Sequence, residues 1–391
     1  VSDERDLHPE TRAITAGRSY GDTSLAPPLW ATTVFEVDSV DDGRRRATTP
    51  RSDHFYSRYG NPTVTAFEEA VADLEGAEAA QAFASGMGAI TSTILALCST
   101  GGHVVAQRRL YSATALLFQM VLPRFGIEVT LVDGTDAGAI AAAVRPGTSV
   151  VFVETPANPL LELTDLDALG AIKGPFTIVD STLAGPMSQH PLEHGVDLVV
   201  HSATKSIAGH NDALLGVVAG ERDLIQAIWG YHVIHGAVAS PFDALNGLRG
   251  IRTLGIRAQR QSDTAQRVAE ALASSPAVSA VHYPGLDSHP QRDLAKRQMT
   301  LPGSLLTFEL AGGMDAGRRF LEACHLARIA TSLGGPETLV LHPATTVAAN
   351  LPPDEQEAQG IGPGLVRMSV GLEHPDDVLA DVLQALAVAG S

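Results

Sequence analysis

An α/β fold with a largely parallel central sheet, completed by a smaller α+β region toward the C-terminus, is what this sequence predicts. From about residue 76 to Gly220, short apolar, β-branched runs alternate with helix-like stretches, the order that builds a parallel sheet covered on both faces. From about residue 254 the pattern changes, with strand-like segments separated by helices and no strict alternation. At 391 residues the chain also exceeds the length at which one hydrophobic core usually stops growing. More than one structural region is therefore expected: 1–60, 61–253 and 254–391.

Residues 1–60 are rich in Pro, Gly and Thr and lack a sustained helical period, as an arm that packs on something else would. The first helix is predicted in TVTAFEEAVADLEG, where Val64, Phe67, Val71 and Leu74 recur at three- and four-residue spacing and Gly76 stops the run. Strands are predicted in HVVAQ, EVTLVDG, SVVFVET, FTIVDS, DLVVHS and LLGVVAG. A long helical stretch through Leu248, Ile251, Leu254 and Ile256 leads into the last region, with strands predicted in VSAVHYPG, SLLTFEL and LVRMSVGLE.

Composition narrows the function. Hydrophobic residues at 45% and charged residues at 18% fit an ordinary globular protein. A formal net charge of −17 repels nucleic-acid phosphates and anionic membrane surfaces, so neither is an expected partner. Arg44, Arg45 and Arg46, with Arg51 behind them, sit among Gly, Thr, Pro and Ser and read as an exposed loop. VSDERDLHPE carries charges where a secretory signal needs an apolar core, and no apolar run reaches membrane-spanning length; a cytoplasmic protein is expected. Cys98 and Cys324 stand alone, without metal-ligand spacing, and read as buried, inert thiols; no metal site is expected.

Chemistry enters through lysine. Arginine supplies nearly all the positive charge, and the only lysines are Lys173, Lys205 and Lys296. An amine that can lose its proton condenses with an aldehyde, whereas guanidinium stays protonated. Lys173, before Gly174 and Pro175, reads as a cation at a helix C-terminus, and Lys296, in QRDLAKRQ, as part of a solvated helix face. Lys205 follows the apolar strand DLVVHS, so it lies at the carboxyl edge of the sheet, where ligands bind in open α/β folds. Ser202 and Thr204 beside it carry hydroxyls able to hold a phosphate. A surface lysine at a strand end is the alternative.

Asp180 ends the apolar run FTIVD, and a carboxylate there can pair with a protonated pyridine nitrogen or cap a helix. In ASGMGAI, a Ser85-Gly86-Met87-Gly88 turn opens an apolar helix whose first N–H groups can bind a phosphate or simply start the helix.

Together with PPLWATTVF, YSRYGNPT, ETPANP, SPFDALNGLRGIRTL, SLGGPETL and LVRMSVGLEH, in that order along nearly the whole chain, these motifs resemble the Cys/Met-metabolism enzymes dependent on pyridoxal 5′-phosphate (PLP). That group includes cystathionine γ-synthase and γ-lyase, cystathionine β-lyase, methionine γ-lyase and the homoserine-ester sulfhydrylases. The resemblance implies the PLP-dependent transferase fold of type I, with a mainly parallel seven-stranded sheet in a PLP-binding domain over 61–253 and a C-terminal α+β domain over 254–391. It also implies a homotetramer made of two catalytic dimers.

By the same resemblance, Lys205 is the Schiff-base lysine, Asp180 the partner of the pyridine nitrogen, and Gly86, Met87, Ser202 and Thr204 the phosphate holders. Tyr56 and Arg58, in the 1–60 arm, reach the phosphate of the neighbouring subunit's site. Tyr111 stacks on the cofactor ring and exchanges protons with the substrate, while Glu154 and Asn158 contact the cofactor side, Asn158 near the ring hydroxyl. Arg367, with Ser332 and Tyr111, holds the amino-acid substrate through its α-carboxylate, for which a planar guanidinium fork is suited.

The expected reaction is γ-elimination on a sulfur amino acid of the methionine or cystathionine type. SLGGPETLVLHPA is similar to the lyase side of the family, and the long insertions of many sulfhydrylases are missing. The alternative is γ-replacement on an activated homoserine ester. Thr331 stands where cystathionine-handling members often carry glutamate, Ala113 where the best-known methionine γ-lyases carry cysteine, Val347 and Ala348 where a Thr-His pair is common, and Ser181 in place of the commoner asparagine. A noncatalytic protein of this fold would have no need to retain Lys205, Asp180, Tyr111 and Arg367 together.

Overall fold

A computed structural model describes residues 7–18 and 23–390; the first six residues of the charged N-terminal stretch lie outside the described part. Seven strands form the larger sheet: β1 (Ala79–Phe83), β2 (His103–Gln107), β3 (Glu128–Val132), β4 (Thr148–Glu154), β5 (Phe176–Asp180), β6 (Leu198–His201) and β7 (Gly216–Gly220). Their order is β1-β7-β6-β5-β4-β2-β3. β3, β2, β4, β5 and β6 are mutually parallel, and β7 runs antiparallel to both β6 and β1.

The sheet is apolar on both faces because helices cover both. On one side Val199 and Val217 pack with Phe67, Val71 and Leu248, and on the other Phe152, Ile178 and Val200 pack with Ile90, Ile94 and Phe118. The helix Pro62–Glu75 has clear local causes: the Asn61 side chain accepts from the Thr63 N–H (3.0 Å), Pro62 fits the first turn, and Gly76 closes it at φ 68°.

A second sheet takes its strands from after residue 254: β8 (Val278–His282), β9 (Leu305–Leu310), β10 (Arg328–Ile329), β11 (Leu339–Leu341) and β12 (Leu365–Ser369), in the order β10-β11-β12-β9-β8. Its core joins Phe308, Phe320, Val366 and Met368 to Val268, Leu272 and Val382 of the covering helices.

Several local expectations change. The Arg44–Arg46 cluster lies on a helix, Val40–Thr48, not in a loop; Ser39 caps it by accepting from the Asp42 N–H, and Arg45 and Arg46 both pair with Asp42. Ser39 followed by two acidic residues was a readable helix start. The lead-in also holds a short helix, Pro9–Thr15. The stretch through Leu248 and Ile256 is two helices, Pro241–Ile251 and Leu254–Ala273. β1 escaped notice because AAQAF has no β-branched residue. Cys98 is buried, but Cys324 is only half-buried; burial pushes both thiols up, Cys324 to about 12, so both stay protonated. No helix among the described residues is long and apolar enough to cross a membrane.

Candidate active site

Three neighbouring parallel strands end at one place. β4 ends at Glu154 and β5 at Asp180, which stand opposite each other in register, and Asp180 in turn faces Val200 of β6, two residues before Ser202. Beyond these ends lies a cavity of about 490 Å³ whose wall includes Lys205, Asp180, Glu154, Tyr111, Asn158 and Arg367. Gly86, Met87, Ser202, Thr204 and Ser332 line it as well.

Lys205 donates from Nζ to Ser332 Oγ at 2.9 Å. Burial and the charge of Arg367 lower its pKa, which enlarges the fraction of free amine. The other two lysines are elsewhere: Lys173 donates to the Gly170 carbonyl at 3.2 Å, and Lys296 lies 3.9 Å from Asp287 on the surface.

Ser332 joins the amine to the guanidinium. Its carbonyl accepts from Arg367 Nη2 at 3.0 Å while its hydroxyl faces Lys205. This double use holds a non-glycine residue at φ 85°, a conformation that costs about 1–3 kcal/mol and recurs at functional sites. Arg367, 7% exposed, also donates from Nη1 to Asn158 Oδ1 at 3.2 Å. Burial lowers it to about 10, so it remains a cation.

Asp180 uses Oδ1 to accept from the Thr182 N–H (3.0 Å) and hydroxyl (2.5 Å), the local turn of an aspartate followed two residues on by threonine, and it caps no helix. Among the described residues Oδ2 accepts no hydrogen bond. Thr182 also accepts, at its hydroxyl, from the Ser202 N–H at 2.8 Å, tying two strand ends together. Thr182 was not singled out from sequence, although the Asp-Ser-Thr spacing signals it.

Glu154, on the cavity wall, also positions its neighbours. Its Oε2 accepts from the Tyr111 N–H (2.7 Å) and its Oε1 from the Asn158 N–H (2.9 Å), so one carboxylate positions two predicted site residues. Gln107, also missed, accepts from the Glu154 N–H at 3.0 Å.

Burial, with Asp180 opposite, raises Glu154 to about 8, and burial raises Asp180 as well. Between an unfolded value of 4.5 and about 8 the folded chain binds the Glu154 proton more tightly, so its stabilisation is full below that window and is lost as pH rises through it. The cofactor-free chain is expected to melt at lower temperature near pH 8 than near pH 5. A protonated pyridine nitrogen opposite Asp180 is expected to flatten that slope. Melting curves at the two pH values, with and without PLP, check both; a cofactor-free chain that gains stability with pH contradicts the assignment.

The residues fit PLP. The helix Gly86–Leu97 starts at the cavity, with Ser85 Oγ accepting from the Gly88 N–H and the N–H groups of Gly86 and Met87 left without an intrahelical partner. A side chain on Gly86 would come within 2.7 Å of Ser202 Cβ, so the glycine keeps that hydroxyl beside the helix start. Asp180 Oδ2 and the Lys205 amine, both on the cavity wall, would supply the other two contacts a pyridine aldehyde phosphate needs.

Thr204 fits less well. Its hydroxyl donates to the Leu215 carbonyl at 3.0 Å and accepts from the Leu215 N–H at 2.9 Å, so a phosphate oxygen must compete for its one proton.

Tyr56 and Arg58 do not line this chain's cavity. Tyr56 is 40% exposed, and Arg58 lies over the rings of Tyr56 and Tyr59 while donating to the Val233 carbonyl at 3.1 Å.

The family model described as Cys/Met metabolism PLP-dependent enzyme matches residues 10–387. An L-methionine gamma-lyase from Porphyromonas gingivalis is 44% identical over 96% of this chain and 96% of its own length. An O-succinylhomoserine sulfhydrylase from Pseudomonas aeruginosa is 41% identical over 97% of this chain and 95% of its own. Among solved structures, a cystathionine gamma synthase from Xanthomonas oryzae pv. oryzae, in complex with aminoacrylate and cysteine, superposes with a TM-score of 0.92 at 35% identity, covering 98% of this chain and 99% of the other.

Proposed function

The chain belongs to the Cys/Met-metabolism PLP-dependent enzymes, a lyase and trans-sulfuration family, and within it we propose that it catalyses γ-elimination on a sulfur amino acid of the methionine type. The products are a 2-oxoacid, ammonia and a thiol. One observation carries the choice of substrate: the charged residues lining the cavity are Glu154, Asp180, Lys205 and Arg367, and all four are taken up at the α-carbon and cofactor end. Among the described residues of this chain the remaining wall, with Leu183, Leu333, Val347 and Thr331, offers no ionic partner to the second amino and carboxyl groups of cystathionine. Burying those charges unpaired costs several kcal/mol, whereas a neutral methylthio group suits the apolar wall. The likeness to the methionine gamma-lyases points the same way.

PLP, when bound, supplies the electron sink for the pair released at the substrate α-carbon. The residues of the chain do the rest. Arg367 pairs with the substrate α-carboxylate, exchanging its carbonyl and amide contacts for a charged one. The free Lys205 amine would take the α-proton at Nζ and later handle the β-proton, a role helped by its lowered pKa. Asp180 would keep a proton on the ring nitrogen through its free Oδ2. Tyr111, fixed at its N–H by Glu154, places its hydroxyl as the acid that protonates the departing thiolate.

A panel of methionine, cystathionine and O-acylhomoserine, each with and without cysteine, tests the reading. Methionine is expected to yield oxoacid, ammonia and thiol without any second thiol, with cystathionine turned over at least about tenfold less efficiently. Thioether formation from the ester as the dominant reaction would overturn elimination in favour of γ-replacement.

The reading extends to assembly: Tyr56 and Arg58 serve the site of a neighbouring copy in a tetramer of two catalytic dimers. Exposed Leu116, Met120 and Phe125, on the segment after Tyr111, and exposed Val34 beside Tyr56 support buried interfaces there. Mixing inactive Arg58→Ala and Lys205→Ala chains is expected to restore roughly a quarter of the wild-type activity, since half the dimers are mixed and each has one intact site. No recovery after verified exchange of chains counts against the shared site. We place the enzyme in the cytoplasm, where its two unpaired cysteines stay reduced.

A further inference from the structure

The helix Leu254–Ala273 carries two buried polar side chains that point at the walls of the active site and that no catalytic step uses. Arg257 is 4% exposed, and every hydrogen bond of its guanidinium runs to a backbone carbonyl or a hydroxyl. It donates to the Ser206 carbonyl (2.9 Å), the Ile207 carbonyl (3.3 Å), the Gly250 carbonyl (2.7 Å) and the Thr253 hydroxyl (3.0 Å). Ser206 and Ile207 are the two residues that follow Lys205. One turn further along the helix, Gln261, 2% exposed, donates to the Gly335 carbonyl at 2.8 Å, in the segment that carries Ser332.

The backbone is shaped around these contacts. Gly209, at φ 67°, donates its N–H to the Lys205 carbonyl at 2.8 Å, and a side chain there would fall 1.9 Å from Arg257 Nη1. Gly334, at φ 77°, packs closely on the same turn, where a side chain would meet the Ser206 nitrogen at 2.6 Å. The turn 205–209 is thus held between the guanidinium and the 332–335 segment. Residues four apart share a helix face, so one rigid element grips both the turn of Lys205 and the turn of Ser332.

We propose that Arg257 and Gln261 are positioning residues that set the Lys205 amine against Ser332, the helix acting as a strut between the two turns. Lysine cannot replace Arg257, because a single ammonium cannot span carbonyls that the planar fork reaches together. This inference rests on the reading of Lys205 as the Schiff-base lysine.

Wild-type, Arg257→Lys and Gln261→Met holoenzymes are to be compared in three ways: the pH midpoint of the visible absorption band, kcat and KM for methionine, and melting temperature. Amide exchange of residues 206–209 and 332–335 is measured in the cofactor-free chains. Arg257→Lys is expected to lower kcat by about 10²-fold with KM little changed, as a displacement near 1 Å would. It is also expected to move the pH midpoint of the band and to lose protection at 206–209. Gln261→Met is expected to act in the same direction, more weakly and chiefly at 332–335, and it decides the matter if Arg257→Lys does not fold. A lower melting temperature with unchanged pH midpoint, kcat and local protection overturns the proposal and leaves a structural contact only. A wild-type holoenzyme without a visible band would instead defeat the reading of Lys205 on which it rests.

Discussion

Replacing Lys205 by alanine is expected to lower methionine turnover by on the order of 10⁴-fold or more. The expectation follows from where the amine sits. It is the one lysine on the cavity wall, 2.9 Å from Ser332 Oγ, with its pKa depressed by burial and by the Arg367 charge. In the proposed mechanism the same nitrogen would anchor the cofactor, take the α-proton and serve the later proton transfer, so its loss would remove three functions at once. Oxoacid release by the purified, PLP-saturated variant measures the effect, and the melting temperature shows whether the fold is intact. Because Lys205 makes no ion pair among the described residues, the fold is expected to survive. Turnover within tenfold of wild type would place the proton transfers on another group.

The second large effect is expected at Arg367. Truncating a buried charge that pairs with a ligand costs about 2–5 kcal/mol, or roughly 30-fold to several thousandfold in kcat/KM. Arg367→Leu is expected to fall in that range for methionine, mainly through KM, since the proposed guanidinium–carboxylate pair would persist before and during reaction. Arg367→Lys is expected to recover only part, because one ammonium cannot reproduce the fork. Deamination rates over a range of methionine concentrations check both. The leucine variant also frees Asn158 Oδ1 and the Ser332 carbonyl, so the lysine variant guards against reading a repacked wall as a lost carboxylate contact. Unchanged kcat/KM in both would remove Arg367 from substrate binding.

How far the sequence carried this site depends on how local each cause is. Lys205 and Asp180 were readable because an apolar strand ending in a polar residue marks the sheet edge by itself. The buried parallel strands were readable for the same reason, as continuous apolar runs. β1 was not, since its place is fixed by pairing with β7 rather than by its own alanine-rich composition.

Glu154 was found but its work was not. Nothing in ETPANP says that the carboxylate will accept from the N–H of Tyr111, 43 residues away. Thr204 shows the converse: a hydroxyl at the right place in the chain is turned to Leu215 by the fold. Arg257 was invisible for a stronger reason, because its partners are backbone carbonyls, which any residue could supply and no motif announces. Arg44 to Arg46 failed more simply. The Gly and Thr around them suggest a loop, whereas the Ser39 cap upstream starts their helix.

The family narrows the chemistry to PLP-dependent lyases and trans-sulfuration enzymes; the choice of methionine is the proposal that the cavity wall supports. Both proposals depend on the identity of one nitrogen, and the scarcity of lysine makes that testable without ambiguity. Holoenzyme reduced with borohydride, then digested and mapped by mass, will carry reduced cofactor on the peptide containing Lys205 and on neither of those containing Lys173 and Lys296. Label on Lys173 or Lys296, or a PLP-saturated chain that takes up no label, would contradict the site described here.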